Sequence, residues 1–251
     1  MNEYTKNLNR IEFVVTLACS GKCKHCSQGE HIYQRGHIDG SVAADAVLKL
    51  ASVRKIDSLM TFGGEPLLFF EDVCKIQCAA KEASIPNKEL ITNGFFSKDE
   101  NKIQSVVDKL FESGVNKILL SVDAFHQETI PIKPVKFFAE CVKKQGIEIQ
   151  VHPAWLVDSD DDNPYNLRTK KLLEEFSSAG FDISSGNVIF PNGNAVKYLS
   201  EYFKDNQIHK NPYVQNPEDI RAICISPDGE VLNGNIYVNS IIDIVENYLP
   251  H

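Results

Sequence analysis

Ile11-Glu12-Phe13-Val14-Val15-Thr16-Leu17 is an apolar, strand-like run that opens, one residue later, into Cys19-Ser20-Gly21-Lys22-Cys23-Lys24-His25-Cys26. Three thiols fall within eight residues, spaced C-x3-C-x2-C. Thiolates are soft ligands that select iron–sulfur clusters, zinc or copper(I). Gly21 relaxes the backbone of a loop short enough to aim all three sulfurs at one point. The count is informative, because a simple ferredoxin-type cluster takes four cysteines. A three-cysteine loop leaves one iron with a vacant coordination position, which an α-amino acid head can fill through its amine and carboxylate.

Outward from this stretch, strand-like and helix-like segments alternate. Strands are expected over residues 11–17, 58–62, 89–92, 117–122, 147–155 and 183–190, and helices over 42–53, 71–83, 98–113, 135–145 and 167–179. Gly114, Gly146 and Gly180 each stand just after a helix, where a left-handed cap is expected. Such alternation builds a parallel sheet. Six units are too few for a closed eight-stranded barrel, so the expected fold is α/β, a partial six-unit (β/α) TIM barrel. A flat doubly wound sheet is the second choice. Residues 1–190 form the core, and residues 191–251 form a C-terminal extension with a short helix over 195–203 and a β-hairpin over 223–232, turned by Pro227-Asp228-Gly229.

In both architectures ligands gather where strands end. Marked residues fall there repeatedly. Phe62-Gly63-Gly64-Glu65-Pro66 follows the second strand, Thr92-Asn93-Gly94 ends the third, Ser121-Val122-Asp123 ends the fourth, and His152 lies late in the fifth. Two glycines admit close approach of a ligand to the backbone, and Glu65 with nearby carbonyls suits an ammonium group. Ser121 and Asp123 share one strand face, as do Gln150 and His152. A hydroxyl and a carboxylate at a strand's end suit ribose hydroxyls.

With these residues in place, the chain resembles the radical S-adenosylmethionine (radical SAM) enzymes over roughly residues 11 to 190. The resemblance is carried by Cys19, Cys23 and Cys26, by Gly63-Gly64-Glu65-Pro66 one β-α unit later, and by Ser121-Val122-Asp123. It implies a partial barrel binding a [4Fe–4S] cluster and S-adenosylmethionine, whose reductive cleavage yields a 5′-deoxyadenosyl radical that abstracts hydrogen from a substrate. It also implies roles. Cys19, Cys23 and Cys26 resemble the cluster ligands, and His25 takes the place of an aromatic residue near the adenine. Gly63, Gly64 and Glu65 resemble the methionine-amine site, Ser121 and Asp123 the ribose site, and Thr92 and Asn93 the pocket frame. His126 and His152 are the candidate catalytic residues beside the mouth. The C-terminal hairpin is similar to a degenerate SPASM or twitch extension of peptide-modifying members. Cys224 lacks the returning cysteine there, which argues against an auxiliary cluster.

A peptide or protein side chain is the leading substrate, and an external electron donor such as flavodoxin or ferredoxin is expected. The alternatives are a glycyl-radical-enzyme activase, a small-molecule radical enzyme, and a non-catalytic module whose cysteines and His25 hold zinc as a Cys3His set. The chain has 251 residues, 43% of them apolar, and a net charge of −8, which does not favour a nucleic-acid partner. No run approaches the ~18 apolar residues of a membrane span. Seven cysteines and a polar N-terminus point to a reduced cytoplasm rather than a disulfide framework. Cys74, Cys78 and Cys141 read as small helix hydrophobes, Cys224 as a buried residue, a leftover ligand or a reactive thiol, and Asp158-Ser159-Asp160-Asp161-Asp162-Asn163-Pro164 as a solvated turn.

Overall fold

A computed structural model of the chain describes residues 1–30, 36–203, 211 and 214–250. The elements run β1 (Arg10–Thr16), α1 (Gly40–Val53), β2 (Ser58–Gly63), α2 (Phe70–Glu82), β3 (Asn87–Thr92), α3 (Glu100–Glu112), β4 (Lys117–Leu120), α4 (Ile132–Gln145), β5 (Glu148–Val151), β6 (Ala154–Trp155), α5 (Pro164–Ser178), β7 (Asp182–Ile183) and β8 (Asn187–Val188). They are followed by α6 (Asn194–Tyr198), β9 (Ala222–Ile225), β10 (Glu230–Val231), β11 (Gly234–Asn235) and α7 (Ile241–Glu246). Seven strands make one parallel sheet in the order β7-β5-β4-β3-β2-β1-β9. From β1 to β7 each strand lies beside its predecessor in that sheet. A doubly wound sheet would reverse direction partway, so the open-barrel arrangement is the one formed.

The alternation along each strand explains the layering. Ile11, Phe13 and Val15 of β1, Leu59 of β2, Leu90 of β3, and Ile118 and Leu120 of β4 are fully buried in the core shared with the helices. Arg10, Glu12, Ser58, Glu89 and Gln150, at alternate positions of their strands, are half-buried on the opposite, inner face. The helix starts are capped by side chains. Asp39 accepts from the N–H of Ser41 at 2.7 Å and Asp99 from that of Asn101 at 2.9 Å, each cap contributing about 1 kcal/mol. Gly114, Gly146 and Gly180 take positive φ after α3, α4 and α5 as expected.

Three expectations are corrected. The segment 147–155 is two strands, because Pro153 has no N–H to continue a ladder. The segment 183–190 breaks at Gly186, where φ is +72° and a Cβ would lie 2.2 Å from the Pro153 carbonyl oxygen. The hairpin over 223–232 keeps its turn, with Gly229 at φ +85° and its N–H bonded to Ser226 O at 2.9 Å. Its strands, however, take other partners. β9 pairs in parallel with β1, Ile11 opposite Ile223 and Phe13 opposite Ile225, while β10 pairs with β11. Burial of Ile223 and Ile225 to 1% exposure in the main core is what β9 gains at the free edge of β1. The acidic segment is an exposed turn, closed by Asp158 accepting from the N–H groups of Asp160 and Asp161, both at 2.8 Å.

Candidate functional site

The sheet ladder continues past the strand ends and gathers the marked loops into one mouth. Gly64 N bonds Thr16 O at 2.7 Å, Ser121 N bonds Thr92 O at 2.9 Å, His152 N bonds Leu120 O at 2.8 Å, and Ser184 N bonds Val151 O at 2.9 Å. The two glycines after β2 serve this closure. A Cβ on Gly63 would lie 2.4 Å from Thr16 O, and one on Gly64 would lie 2.2 Å from Ala18 O. With Glu65 N also bonded to Ala18 O at 2.8 Å, the glycine segment presses directly on the base of the cysteine loop.

The cysteine loop is clamped from three sides. The β4–α4 connection holds it through Thr129, whose hydroxyl accepts from Lys22 N at 3.0 Å, and Glu128, which pairs with Lys24 at 3.2 Å. The end of β3 reaches it through Asn93, whose Nδ2 lies 3.6 Å from Cys19 Sγ. The third clamp was not anticipated from sequence. Asn194 donates from its backbone to Cys26 O at 2.9 Å and from its side chain to Cys23 O at 3.0 Å, and a Cβ on Gly193 (φ +54°) would lie 2.5 Å from Cys26 O. The Pro191-Asn192-Gly193-Asn194 turn was the available signal. Cys23 also sits in a small apolar cluster with Phe125, Ala154, Leu156, Ile189, Ala195 and Leu199.

Both carboxylates of the mouth are fully buried. Glu65 braces β2 to β3, with Oε1 accepting from Leu67 N at 2.9 Å and the Thr92 hydroxyl at 2.7 Å, and Oε2 from Asn93 N at 2.8 Å. Burial pushes its carboxyl up to about 7 against the pull of these three donors. Asp123 accepts four bonds, from the N–H groups of Phe125 (2.9 Å), His126 (2.9 Å) and Ala154 (3.1 Å) and from His126 Nδ1 at 2.7 Å. That fills the lone-pair capacity of a carboxylate. Burial opposes the charge of Asp123, but His126 and the N–H donors outweigh it and hold the carboxyl well below the usual range. In turn burial disfavours imidazolium at His126, and Asp123 overrides it and raises its pKa.

Because Nδ1 of His126 faces Asp123, Nε2 is its outward atom. His25 packs against His126 and Phe125, with ring centroids 4.9 and 5.0 Å apart. Its Nδ1 is buried without a hydrogen-bond partner, and burial lowers its pKa to about 4. His152 bonds Ser184 Oγ through Nδ1 at 2.7 Å, and burial lowers its pKa. Ser121 is half-exposed beside these groups, as is Gln150 on the inner face, and Cys224 is exposed across from Glu12. Every residue singled out at a strand end therefore lies at the same edge of the sheet. Cys74, Cys78 and Cys141 lie on the helices instead.

The donor set suits an iron–sulfur cluster. All seven cysteines are free thiols. Burial pushes the thiol of Cys19 up to about 12 and raises those of Cys23 and Cys26, a cost that a bound cation removes. N–H groups already aim at the sulfurs. Gly21 N lies 3.4 Å from Cys19 Sγ, and the N–H groups of Gln28 and Gly29 favour the Cys26 thiolate.

Comparison with known proteins agrees with this chemistry. A family model described as the radical SAM superfamily matches residues 13–152, more than half of the chain. GTP 3′,8-cyclase of Desulforamulus reducens is 24% identical over 161 residues, covering 62% of this chain and 48% of that protein. GTP 3′,8-cyclase of Clostridium botulinum is 24% identical over 132 residues, 51% of this chain and 39% of its own length. The chain thus spans half or less of these curated relatives. Among solved structures, Streptococcus suis SuiB bound to S-adenosylmethionine superposes with a TM-score of 0.64 at 14% identity, covering 96% of this chain and 66% of that one. Native anSMEcpe with bound AdoMet gives 0.59 at 17% identity, covering 95% and 80%. No helix among the described residues is long and apolar enough to cross a membrane. The chain belongs to the radical SAM superfamily, whose members carry a [4Fe–4S] cluster and S-adenosylmethionine.

Proposed function

We propose that this chain is an enzyme that cleaves S-adenosylmethionine at a [4Fe–4S] cluster held by Cys19, Cys23 and Cys26, and that it abstracts a hydrogen atom from a peptide or protein side chain. The observation that carries the proposal is the coupling of the three-thiol loop to the Gly63-Gly64-Glu65 segment through the bonds at Ala18 and Asn93. Bound in the mouth, the cofactors supply one electron, drawn from an external donor of the flavodoxin or ferredoxin kind, and a 5′-deoxyadenosyl radical.

The residues of the chain have distinct tasks around that chemistry. Gly21 and Asn93 hold the Cys19 sulfur by N–H···S contacts. Gly63 and Gly64 keep the amine-binding edge free of side chains, and Glu65, anchored by Thr92 and Asn93, fixes its shape and supplies negative charge to an ammonium group. Ser121 offers its hydroxyl to the ribose. Asp123, already saturated, fixes the turn that presents Ser121 and His126. His25 supplies the flat ring beside the adenine. His126 and His152 stand at the substrate side, and Phe125 stacked on Tyr165 at 4.5 Å makes an apolar wall that keeps water from the loop.

The half-buried inner face offers polar side chains to a substrate at Gln150 and at the exposed Cys224. SuiB bound to precursor peptide SuiA and anSMEcpe with bound AdoMet and Cp18Cys peptide share this fold over 96% of the chain, which supports the peptide reading. The curated relatives, GTP 3′,8-cyclases, favour a small-molecule substrate as the second reading. Anaerobic reconstitution followed by dithionite and S-adenosylmethionine is expected to yield 5′-deoxyadenosine. Mass spectrometry of peptides encoded beside the gene, run in parallel with nucleotides, then separates the two readings. A Cys23→Ala protein that still forms 5′-deoxyadenosine would remove the assignment.

A further inference from the structure

Cys23, His25 and His126 bring one ligand atom each to within 4.8 Å of one another. Only two of these residues belong to the cysteine loop; the third comes from the turn after β4. From this geometry we infer a second metal site, a divalent-cation site for zinc formed by the Cys23 thiolate and the imidazoles of His25 and His126, with water in the fourth position. Among the described residues this is the one such grouping of three ligand side chains.

Three independent features make it a site. Tetrahedral zinc with bonds of about 2.0–2.3 Å needs ligand atoms about 3.3–3.8 Å apart, so closure by about 1 Å completes it. His126 Nδ1 is held by Asp123 at 2.7 Å, which leaves Nε2 as the ligand atom in a carboxylate–histidine–metal arrangement. His25 Nδ1 is buried and unpartnered, a lone donor or acceptor that a metal would use. The charges also balance, since the Cys23 thiolate and Asp123 together offset the two positive charges of zinc. Binding releases the Cys23 proton and, where His126 is charged, its Nε2 proton, and involves no redox step. The site differs from a Cys3His set because it leaves Cys19 and Cys26 out.

The consequence is competition. If Cys23 is also a cluster ligand, which rests on the proposed function, its sulfur serves one metal at a time and zinc blocks cluster insertion. The site itself does not depend on that reading. The test uses the full chain, purified without air in its cluster-free form and titrated with Zn2+ against a chelator, with Co2+ as the spectroscopic probe. One zinc per chain is expected. His126→Phe and His25→Phe should each weaken binding by more than about 100-fold, and Asp123→Asn by about 10- to 100-fold. Cys19→Ser should leave zinc affinity unchanged while abolishing the iron content after reconstitution, and His126→Phe should still take up iron. Zinc-edge X-ray absorption of the unmutated protein, which needs no variant to fold, should report one sulfur and two imidazoles. Three sulfurs, no binding, or loss of zinc in Cys19→Ser with retention in His126→Phe would overturn the site. Loss of zinc alone, with 5′-deoxyadenosine formation intact, would sink this inference and leave the proposed function standing.

Discussion

The two ends of the parallel sheet hold acid in opposite ways. At the N-terminal end of the strands, Arg10 of β1 binds Glu12 at 2.6 Å and Glu89 of β3 at 2.8 Å, and also reaches Ser58 Oγ of β2 at 3.0 Å. The cation is built into the fold. At the C-terminal end, Glu65 and Asp123 are more deeply buried, yet among the described residues their bonds come from N–H groups, one hydroxyl and one imidazole, and from no lysine or arginine. A buried carboxylate needs compensation. One end carries a guanidinium; at the other, Asp123 has the imidazole of His126 and Glu65 has neutral donors. The first arrangement makes a floor, and the second leaves Glu65 as the buried acid that the proposed function sets against an ammonium group.

Several measurements can break or sharpen this contrast. The largest effect is expected at the mouth: Cys23→Ala should eliminate iron uptake and 5′-deoxyadenosine formation, as read by iron analysis and product chromatography. Next, Glu65→Ala strands three donors and should destabilise the apo chain by about 2–3 kcal/mol in urea unfolding, while also weakening S-adenosylmethionine binding. Glu65→Gln should cost less, since its amide keeps one acceptor oxygen. On the floor, Arg10→Met leaves Glu12 and Glu89 unpaired and should cost about 1–2 kcal/mol with cofactor cleavage unchanged. A loss of cleavage in Arg10→Met would mean the two ends are not independent.

The smallest effect is a pH slope. His126 has a raised pKa, so its contribution is complete below about 6.5 and is lost as pH rises through the raised value. Glu65, raised to about 7 by burial, favours its protonated form in the fold, so stability also falls as pH climbs from about 4.5 to about 7. His25, lowered to about 4, works the other way, but only between about 4 and 6.5. Apo-protein stability should therefore decline as pH rises from about 6.5 through the raised His126 value, by less than about 1.4 kcal/mol per pH unit for each proton involved. The decline should persist in Arg10→Met and flatten in His126→Phe.

Much of the fold was legible because strands and helices write different periods. Ile11, Phe13 and Val15 alternate, and glycines punctuate the helix ends, so the six units followed from pattern alone, while the pattern left both an open barrel and a doubly wound sheet. The partner of Ala222–Ile225 did not. An apolar run before Pro-Asp-Gly reads identically whether it pairs across its turn or with a strand two hundred residues earlier. The site was legible as a set of strand-end residues, since topology alone brings those together. What each side chain faces was not. Glu65 follows two glycines, but the donors that occupy it, Thr92 and Asn93, come from the next strand. Asp123 was read by period two as a ligand-facing residue, whereas its chain has left the strand at Leu120 and turned, so that the carboxylate closes on its own loop. Asn194 was missed because its partners are backbone carbonyls, which no side-chain motif records.

The clasp of Asn194 on Cys23 and Cys26 spans 171 positions of sequence from donor to acceptor. During synthesis the thiols emerge ahead of the residue that fastens them, which follows all the strands from β1 to β8. Until then the loop has its contacts with Asn93, Glu128 and Thr129. The clasp is thus one of the last contacts of this loop to become available as the chain is made.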